Sequence, residues 1–294
     1  MSGARRVVAV LGAGTMGQGI AQVAATRGFT TRVFDAAPEK AKLAIEAIDK
    51  QLTKLVEKGK IQTAERSDAL SLLSAATTVR DASDGAEIVI EAAPESMDLK
   101  VKILNEAKAA ALPTAVLASN TSSLSLTELG ARTGEAHRVI GLHFFNPPPV
   151  MELLEIVRGL ATSQATVDAA LAFAEALEKS PIVVNDSPGF ASSRLGVMLG
   201  AEAIRMVETG VATAADIDRA MELGYRHPMG PLKLTDLVGL DVRLAILEHL
   251  HKEVGEQFRP PPLLRTMVRA GKLGKKTGEG FYVWKDGAPS PKRN

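Results

Sequence analysis

The sequence predicts an α/β domain with a doubly wound, mostly parallel sheet, followed by an all-helical C-terminal domain. Three observations support this fold class. Short β-branched runs alternate with helix-like segments in the first half of the chain, beginning at Val7–Leu11. A G-x-G-x-x-G sequence directly follows that first run. Strand-like runs become rare after Asp186, where helical patterns take over. Alternating strands and helices are typical of a parallel sheet covered by helices on both faces.

The first domain is expected to span residues 1–186. Its predicted strands are Val7–Leu11, Thr30–Asp35, Ile88–Ala92, Ala115–Ser119, Val139–His143, Leu153–Val157 and Pro181–Val184. Its clearest predicted helices are Thr15–Arg27, Pro38–Lys58 and Thr166–Glu178. Proline is well tolerated in the first turn of a helix, which favours a helix start at Pro38.

The second domain is expected to span residues 187–294. Its predicted helices are Phe190–Val207, Ala214–Leu223, Pro231–Leu250 and Pro262–Ala270. Ser187 and Pro188 form a plausible N-cap and N1 pair for the first of them. The polar, proline-containing residues 286–294 are expected to fray.

Length and composition fit a two-domain globular protein. The chain has 294 residues and a formal net charge of +1, so composition gives no reason to expect a nucleic-acid or membrane partner. It contains no cysteine, which excludes disulfides, thiol catalysis and thiolate metal sites. No apolar run approaches the roughly 18 residues of a membrane helix. We expect a cytoplasmic protein.

The glycine sequence predicts a dinucleotide site of the Rossmann type. Gly12 permits a tight turn, Gly14 lets the backbone approach a pyrophosphate, and Gly17 lets the helix pack closely on the strand. Thr15 and Met16 open the helix, whose free N–H groups attract phosphate. A glycine-rich turn without a ligand is the structural alternative.

Asp35 ends the second predicted strand and favours NAD as the cofactor. A carboxylate at this position accepts hydrogen bonds from the adenosine ribose and repels a 2′-phosphate. No Lys or Arg follows until Lys40, which also favours NAD over NADP. FAD is the alternative dinucleotide.

His143 and Glu155 are the candidate general-base pair. His143 ends a predicted strand, where side chains face the ligand crevice of an open α/β sheet, and histidine titrates near neutrality. Glu155 lies within an apolar strand, where a carboxylate is costly to bury unless it is paired. The alternatives are a core histidine bonded to a carbonyl group and a solvated glutamate on an edge strand.

Ser119–Ser123 form a polar turn after another predicted strand. This turn could bind polar groups of a substrate or nicotinamide, and it could equally cap the next helix.

His249 and His251 are two residues apart on a predicted helix and point in different directions. We expect no metal site, and the absence of G-x-S-x-G gives no support to a serine hydrolase.

Together these segments resemble the 3-hydroxyacyl-CoA dehydrogenase family, including bacterial 3-hydroxybutyryl-CoA dehydrogenases. The resemblance covers almost the whole chain, and its most diagnostic part is the segment around His143. The segments that carry it are Gly12–Gly17, Glu91–Glu95, Ser119–Ser123, Gly141–Pro148, Asp186–Phe190, Gly230–Leu232, Asp236–Asp241 and Gly274–Tyr282.

The resemblance implies a catalytic role for three residues. His143 takes the proton from the 3-hydroxyl group of an acyl-CoA while hydride moves to NAD. Glu155 supports the charged histidine, and Ser122 holds the reacting oxygen. The implied reaction converts (S)-3-hydroxyacyl-CoA, expected to be short-chain, to 3-oxoacyl-CoA.

The resemblance also implies contacts with the cofactor and with coenzyme A. Glu95, Lys100 and Asn120 match the family residues at the nicotinamide end. Lys54 is the best candidate for coenzyme A phosphates among the lysines on one face of its helix, although a solvated helix face is as plausible. The resemblance also implies substrate binding by Ser193, which stands where many members have asparagine. Serine can hydrogen-bond a substrate, but its side chain is shorter and lacks the amide group.

In the family, the second domain closes over the acyl chain and forms the interface of a homodimer. The resemblance therefore implies that the second domain of this chain closes over the acyl chain and that the protein is a homodimer.

The sequence leaves two other functions open. One is a dehydrogenase for a free hydroxy acid or a sugar acid such as gulonate. The other is a non-catalytic, structural NAD-binding protein.

Overall fold

The structure, a computed structural model, describes residues 6–292. The chain divides into two compact units, Met1–Ser187 and Pro188–Asn294. Among residues 6–292, no helix is both long enough and apolar enough to span a bilayer.

An eight-stranded sheet forms the centre of the first unit. Its strands are β1 (Val7–Leu11), β2 (Thr30–Phe34), β3 (Leu73–Ala75), β4 (Ile88–Glu91), β5 (Val116–Ser119), β6 (Val139–Phe144), β7 (Leu153–Arg158) and β8 (Ser180–Asn185). They are arranged in the order β3-β2-β1-β4-β5-β6-β7-β8. The first six are parallel, β7 runs antiparallel to β6, and β8 is parallel to β7.

This strand order creates a crevice beside β1 and β4. The chain moves outward through β2 and β3 and then returns to place β4 on the other side of β1. Ligands of open α/β sheets bind at such a reversal, outside the carboxyl ends of the strands. The predicted doubly wound, mostly parallel sheet is confirmed.

Helices flank this sheet. They are α1 (Thr15–Thr26), α2 (Pro38–Glu57), α3 (Thr63–Ser71), α4 (Val79–Ser83), α5 (Met97–Ala107), α6 (Leu126–Thr133) and α7 (Gln164–Ala176). The central strands are almost fully buried, with Val8, Val10, Ile88 and Ile90 at 0–2% exposure in one core cluster. Burial on both faces explains why these strands are continuous apolar runs rather than alternating patterns.

The second unit is helical, with one hairpin that sequence analysis did not predict. Its elements are α8 (Ser192–Glu208), α9 (Ala214–Gly224), α10 (Pro231–Val238), α11 (Leu240–Glu253), α12 (Pro262–Arg269), β9 (Tyr282–Lys285) and β10 (Ala288–Pro291). β9 and β10 pair antiparallel. Residues 286–292 therefore belong to an ordered hairpin or border it, so the expectation of fraying there was wrong; residues 293–294 lie outside the described part.

Two predicted helix boundaries in this unit were also wrong. The single helix expected over Pro231–Leu250 is two helices, because Gly239 interrupts it with a φ of 106°. Ser187 and Pro188 do not open α8, which begins only at Ser192. Gly189 and Phe190 both have positive φ and form a turn before it.

Two buried carboxylates organise the second unit. Asp236 accepts hydrogen bonds from the backbone N–H groups of Phe281 and Tyr282 and from the indole N–H of Trp284. Asp218 accepts a hydrogen bond from the Tyr282 hydroxyl at 2.7 Å and from two backbone N–H groups at the start of α10. A buried carboxylate must be compensated in this way, so these contacts tie the hairpin to α9 and α10.

Candidate active site

The turn between β1 and α1 is shaped by two glycines. Gly12 has a φ of 118°, and a Cβ atom there would lie 2.5 Å from the carbonyl oxygen of Ala92. A Cβ at Gly17 would overlap the Gly12 carbonyl oxygen. By contrast, a Cβ at Gly14 would meet no atom within 4 Å. The first and third glycines are therefore required by packing, whereas the second leaves open space at the N-terminus of α1.

Asp35 is held at the end of β2 by two backbone N–H groups. Its Oδ2 accepts a hydrogen bond from Ala13 at 2.9 Å, and its Oδ1 accepts one from Ala37 at 3.0 Å. The carboxylate is therefore fixed beside the glycine turn. Each oxygen retains a lone pair that can accept a further hydrogen bond.

A cavity of about 500 Å³ lies between these elements. The residues that line it are Leu11, Gly12, Gly14, Thr15, Met16, Phe34, Asp35, Ala36, Lys40, Val79, Ala92, Ala93, Pro94, Leu99, Lys102, Ile103 and Glu106. Apolar walls with a few polar groups are typical of small-molecule sites. The predicted residues Gly12, Gly14, Thr15, Met16 and Asp35 all line this one cavity.

Glu91 and Lys100 form a buried ion pair behind the cavity. Their side chains are 0% and 1% exposed, and the Lys100 Nζ lies 2.9 Å from both oxygens of Glu91. Glu91 also accepts hydrogen bonds from the Ser119 hydroxyl at 2.6 Å and from the Ala93 N–H. Burial raises the pKa of Glu91, although the charge of Lys100 and these hydrogen bonds oppose that effect.

Glu95 joins this pair to the polar turn after β5. Its Oε2 lies 3.2 Å from the Lys100 Nζ. Its Oε1 accepts hydrogen bonds from the Thr121 hydroxyl, the Ser122 N–H and the Ser123 hydroxyl. Burial alone would raise the pKa of Glu95, but Lys100 and the two hydroxyl groups together hold it below its ordinary value. Glu95 is therefore a carboxylate at neutral pH.

Asn120 bridges β4, β5 and β6. Its backbone N–H donates to the carbonyl oxygen of Glu91, and its side-chain Oδ1 accepts from the Phe144 N–H at 2.9 Å. The side-chain oxygen is occupied, so the amide NH₂ group is directed away from β6 and can donate to a ligand.

His143 and Glu155 face each other across β6 and β7. They are direct partners in the antiparallel register, and the His143 Nδ1 lies 2.7 Å from the Glu155 Oε2. Glu155 is 0% exposed and His143 is 7% exposed. β7 is not an edge strand because β8 pairs with its other side. The contact fixes Nδ1 as the nitrogen that faces Glu155 and leaves Nε2 as the ring nitrogen away from it.

The remaining predicted residues lie in three different environments. Ser122 is half-buried in the turn that Glu95 holds. Lys54 is exposed in the last turn of α2. Ser193 is half-buried in the first turn of α8, in the second unit. Within residues 6–292, no group of three or more His, Asp or Glu side chains is arranged to hold a metal ion.

Comparison with known proteins identifies the family. A model of the 3-hydroxyacyl-CoA dehydrogenase NAD-binding domain matches residues 7–187, and a model of the C-terminal domain of the same enzymes matches residues 189–284. The chain belongs to the 3-hydroxyacyl-CoA dehydrogenase family. It is an NAD-dependent dehydrogenase that acts on CH–OH groups, and the resemblance seen in its sequence is confirmed.

Individual relatives match over nearly their full length. The chain is 42% identical to the 3-hydroxybutyryl-CoA dehydrogenase of Bradyrhizobium diazoefficiens, with all of both chains covered. It is 46% identical to the probable 3-hydroxybutyryl-CoA dehydrogenase of Bacillus subtilis, covering 95% of this chain and 97% of the relative. The crystal structure of (S)-3-hydroxybutyryl-CoA dehydrogenase PaaH1 from Ralstonia eutropha superimposes with a TM-score of 0.92, at 43% identity over 96% of this chain and all of that one.

The site of this 3-hydroxyacyl-CoA dehydrogenase family member fits the NAD that its first domain binds. The open space at Gly14 gives a pyrophosphate access to the N–H groups of α1, and the fixed Asp35 carboxylate can accept hydrogen bonds from a ribose. When bound, NAD supplies a nicotinamide ring that accepts hydride.

Sequence reasoning assigned no role to Glu91, and it placed Ser119 in the polar turn without predicting that the two side chains meet. The signal that could have found Glu91 was the one that singled out Glu155, namely a carboxylate within an apolar strand. Glu91 ends the run Ile88-Val89-Ile90-Glu91, all of it buried. Register then places Glu91 directly beside Ser119 of β5.

Proposed function

We propose that this enzyme oxidises (S)-3-hydroxyacyl-CoA to 3-oxoacyl-CoA reversibly, with short acyl chains such as 3-hydroxybutyryl as substrates. The observation that carries this proposal is the buried His143–Glu155 pair, with its 2.7 Å contact at the carboxyl end of β6, in a chain of this family.

His143 is proposed as the general base. Oxidation of an alcohol to a ketone releases the hydroxyl proton as the C3 hydride leaves, so a base must lie beside the oxygen. Because Nδ1 is engaged with Glu155, Nε2 is the nitrogen that takes this proton. The imidazolium that forms is next to the Glu155 carboxylate, which stabilises its charge in a site with little water.

Ser122 is proposed to hold the reacting oxygen. Its backbone is restrained because its N–H donates to Glu95 at 3.3 Å, and its hydroxyl makes no hydrogen bond to another residue within 6–292. A hydroxyl group without a protein partner is available to donate to the substrate oxygen. This arrangement supports Ser122 as the donor that orients the alcohol and the ketone.

Asn120 and Glu95 are proposed to position the nicotinamide end of the cofactor, while Gly12, Gly14 and Asp35 bind the remainder. The side-chain amide of Asn120 can donate because its oxygen is occupied by Phe144. The resemblance assigned Lys100 to the same contact. With 1% exposure and four acceptor atoms around its ammonium group, Lys100 is better suited to support Glu95 from behind.

Coenzyme A is proposed to meet Lys54 on α2. Its exposed ammonium group suits a phosphate contact, which is ionic and tolerates a mobile side chain. Ser193 is proposed to contact the acyl part of the substrate. The relatives from Bradyrhizobium diazoefficiens, Ralstonia eutropha and Bacillus subtilis all carry 3-hydroxybutyryl-CoA dehydrogenase in their names, which supports a short acyl chain.

The test is the loss of NADH absorbance on addition of acetoacetyl-CoA. Turnover with NADH and the thioester, but not with free acetoacetate, is the expected result. If the enzyme does not turn over the thioester but does act on free hydroxy acids, the result would instead favour a hydroxy-acid dehydrogenase. NADH binding without turnover of any substrate would favour a structural role.

His143→Ala tests the proposed base. We expect turnover to fall by about 10²- to 10⁴-fold while NADH binding is retained. The matched control is His137→Ala, since His137 is 66% exposed and lies outside the site. Equal activity of both variants and the unmodified enzyme would remove His143 from the mechanism.

We also propose that the enzyme is a homodimer joined through its second unit. Large apolar side chains are exposed there, with Leu195 at 72% and Leu223 at 69%. Exposed apolar surface of this kind often marks an interface. Sedimentation should give a dimer that Leu195→Glu weakens. Leu160→Glu, a change at an 88% exposed position in the first unit, should leave the dimer intact. A concentration-independent monomer would contradict the proposal.

A further inference from the structure

Lys100 connects the wall of the cofactor cavity to Ser119–Ser123, the turn that carries Ser122 and that we call the substrate turn. Its ammonium group contacts both oxygens of Glu91 at 2.9 Å, the Ala93 carbonyl oxygen at 3.2 Å and the Glu95 carboxylate at 3.2 Å. An ammonium group has three N–H donors. All of them are therefore engaged by protein acceptors, in a side chain that is 1% exposed.

One side of this network belongs to the cofactor site. Ala92, Ala93 and Pro94 line the same cavity as Gly12 and Asp35. Glu91 anchors the start of this segment, because its carboxylate accepts a hydrogen bond from the Ala93 N–H at 2.6 Å. A dinucleotide in the cavity touches a segment whose shape depends on Glu91 and Lys100.

The other side belongs to the substrate turn. Glu95 accepts hydrogen bonds from the Ser122 N–H and the Ser123 hydroxyl, and Ser119 donates to Glu91 while accepting from the Thr121 N–H. The turn that presents the Ser122 hydroxyl is thus tied at both of its ends to the carboxylates that hold Lys100.

We propose that Glu91 is a positioning residue that couples the two sites, so that bound NAD strengthens the binding of the acyl-CoA. The inference rests on the proposed role of Ser122 in substrate binding. Order imposed on residues 92–95 by the cofactor is passed through Lys100 to Glu95 and so to Ser122. A second ligand that meets an already ordered turn loses less conformational entropy on binding. By linkage, the acyl-CoA must strengthen NAD binding by the same factor.

The charge balance explains why Glu91 is needed. One ammonium group lies between two carboxylates, and Glu91 is the fully buried member whereas the Glu95 side chain is 38% exposed. Removing the charge of Glu91 leaves Lys100 with a single, partly solvated counter-ion. The ammonium group is then expected to move toward Glu95, and its hydrogen bond to the Ala93 carbonyl oxygen is expected to break.

The experiment measures binding of acetoacetyl-CoA by calorimetry with and without saturating NAD, a pair in which both partners are oxidised and no reaction occurs. We expect NAD to tighten acetoacetyl-CoA by about tenfold in the unmodified enzyme. In Glu91→Gln the factor should fall to about two, whatever the affinity of each ligand measured alone. Glu87→Gln, a change just before the same strand at a side chain that is 38% exposed, is the matched control and should keep the full factor.

Each outcome has a distinct meaning. A tenfold factor preserved in Glu91→Gln overturns the inference, and so does an unmodified enzyme that binds both ligands without coupling. Failure of acetoacetyl-CoA to bind in any condition sinks the proposed function instead. If Glu91→Gln does not fold, Ser119→Ala replaces it, because this change removes the hydrogen bond to Glu91 and the one from the Thr121 N–H but leaves the ion pair. It should lower the coupling factor to about three to five, and an unchanged factor overturns the inference.

Discussion

Glu155 lies directly opposite His143 in the antiparallel ladder between β6 and β7, with a 2.7 Å contact between its Oε2 and the histidine Nδ1. Directly opposed residues on neighbouring strands point to the same face of a sheet. The two side chains meet for this reason, although they are separated in the sequence by 11 residues that include a proline-rich loop.

Glu155→Gln is expected to lower turnover by about 10²-fold without weakening NADH binding. The amide retains nearly the shape of the carboxylate but has no charge to stabilise the imidazolium. Stopped-flow turnover and NADH fluorescence titration measure the two effects separately. Glu152→Gln, an exposed change just before β7, is the control. Normal turnover in Glu155→Gln would show that the pair is only structural.

Gly14→Ala and Gly17→Ala separate cofactor binding from packing. A Cβ at Gly14 meets nothing, so this variant should melt near the normal temperature but bind NADH about tenfold more weakly, since the methyl group enters the pyrophosphate path. A Cβ at Gly17 overlaps the Gly12 carbonyl oxygen, and this variant should lose about 2 kcal/mol or more of unfolding free energy. Thermal melts with and without NADH distinguish the two effects, and a reversed pattern would contradict the packing argument.

Sequence patterns predicted those parts of the fold that are determined locally. β1 and β4 are buried runs that are apolar except for Glu91, and β2 is a five-residue strand of alternating burial that contains three polar residues. Each was predicted within one residue of its observed end. β3 was missed because it has only three residues, Leu73–Ala75, of which two are exposed. Its place in the sheet comes from pairing with β2, a contact that no local pattern records.

The same distinction applies to the candidate site. The glycine turn and Asp35 are local features with fixed spacing, and the structure gathers them around one cavity. The Lys100–Glu91–Ser119 cluster depends on the register between β4 and β5 and on the inward face of α5. Without the register, local residue patterns do not distinguish Lys100 from the solvated lysines of the neighbouring helices, and only the family resemblance singled it out.

Asp35→Ser is expected to shift the cofactor preference toward NADPH. The carboxylate repels a 2′-phosphate, while Lys40 and Lys102 line the same cavity and can attract it once the carboxylate is gone. The ratio of kcat/KM for NADPH to that for NADH should rise by about 10²-fold. Adding Lys40→Ala should reverse part of this gain. No change in the ratio would show that Asp35 does not face the ribose.

Arg243 is a buried arginine with no hydrogen-bond partner for its Nε among residues 6–292. It is 7% exposed and belongs to the inward-facing stripe of α11, beside Leu240 and Leu247. Burial lowers its pKa to about 10. The folded state therefore disfavours the charged guanidinium, which is present at neutral pH in both the folded and the unfolded chain.

Arg243→Met should consequently stabilise the enzyme, by about 1–3 kcal/mol at pH 7. A lowered folded-state pKa means that the folded protein releases this proton first as pH rises. The penalty is therefore constant below pH about 10 and diminishes above it, where the unfolded chain still binds the proton. Urea unfolding should give a stability difference between variant and unmodified enzyme that is flat from about pH 6 to 9 and smaller at about pH 10.5. Arg259→Met, at an exposed position, should change stability by less than about 0.5 kcal/mol. A destabilised Arg243→Met would show that the guanidinium is satisfied in solution by an anion or a partner.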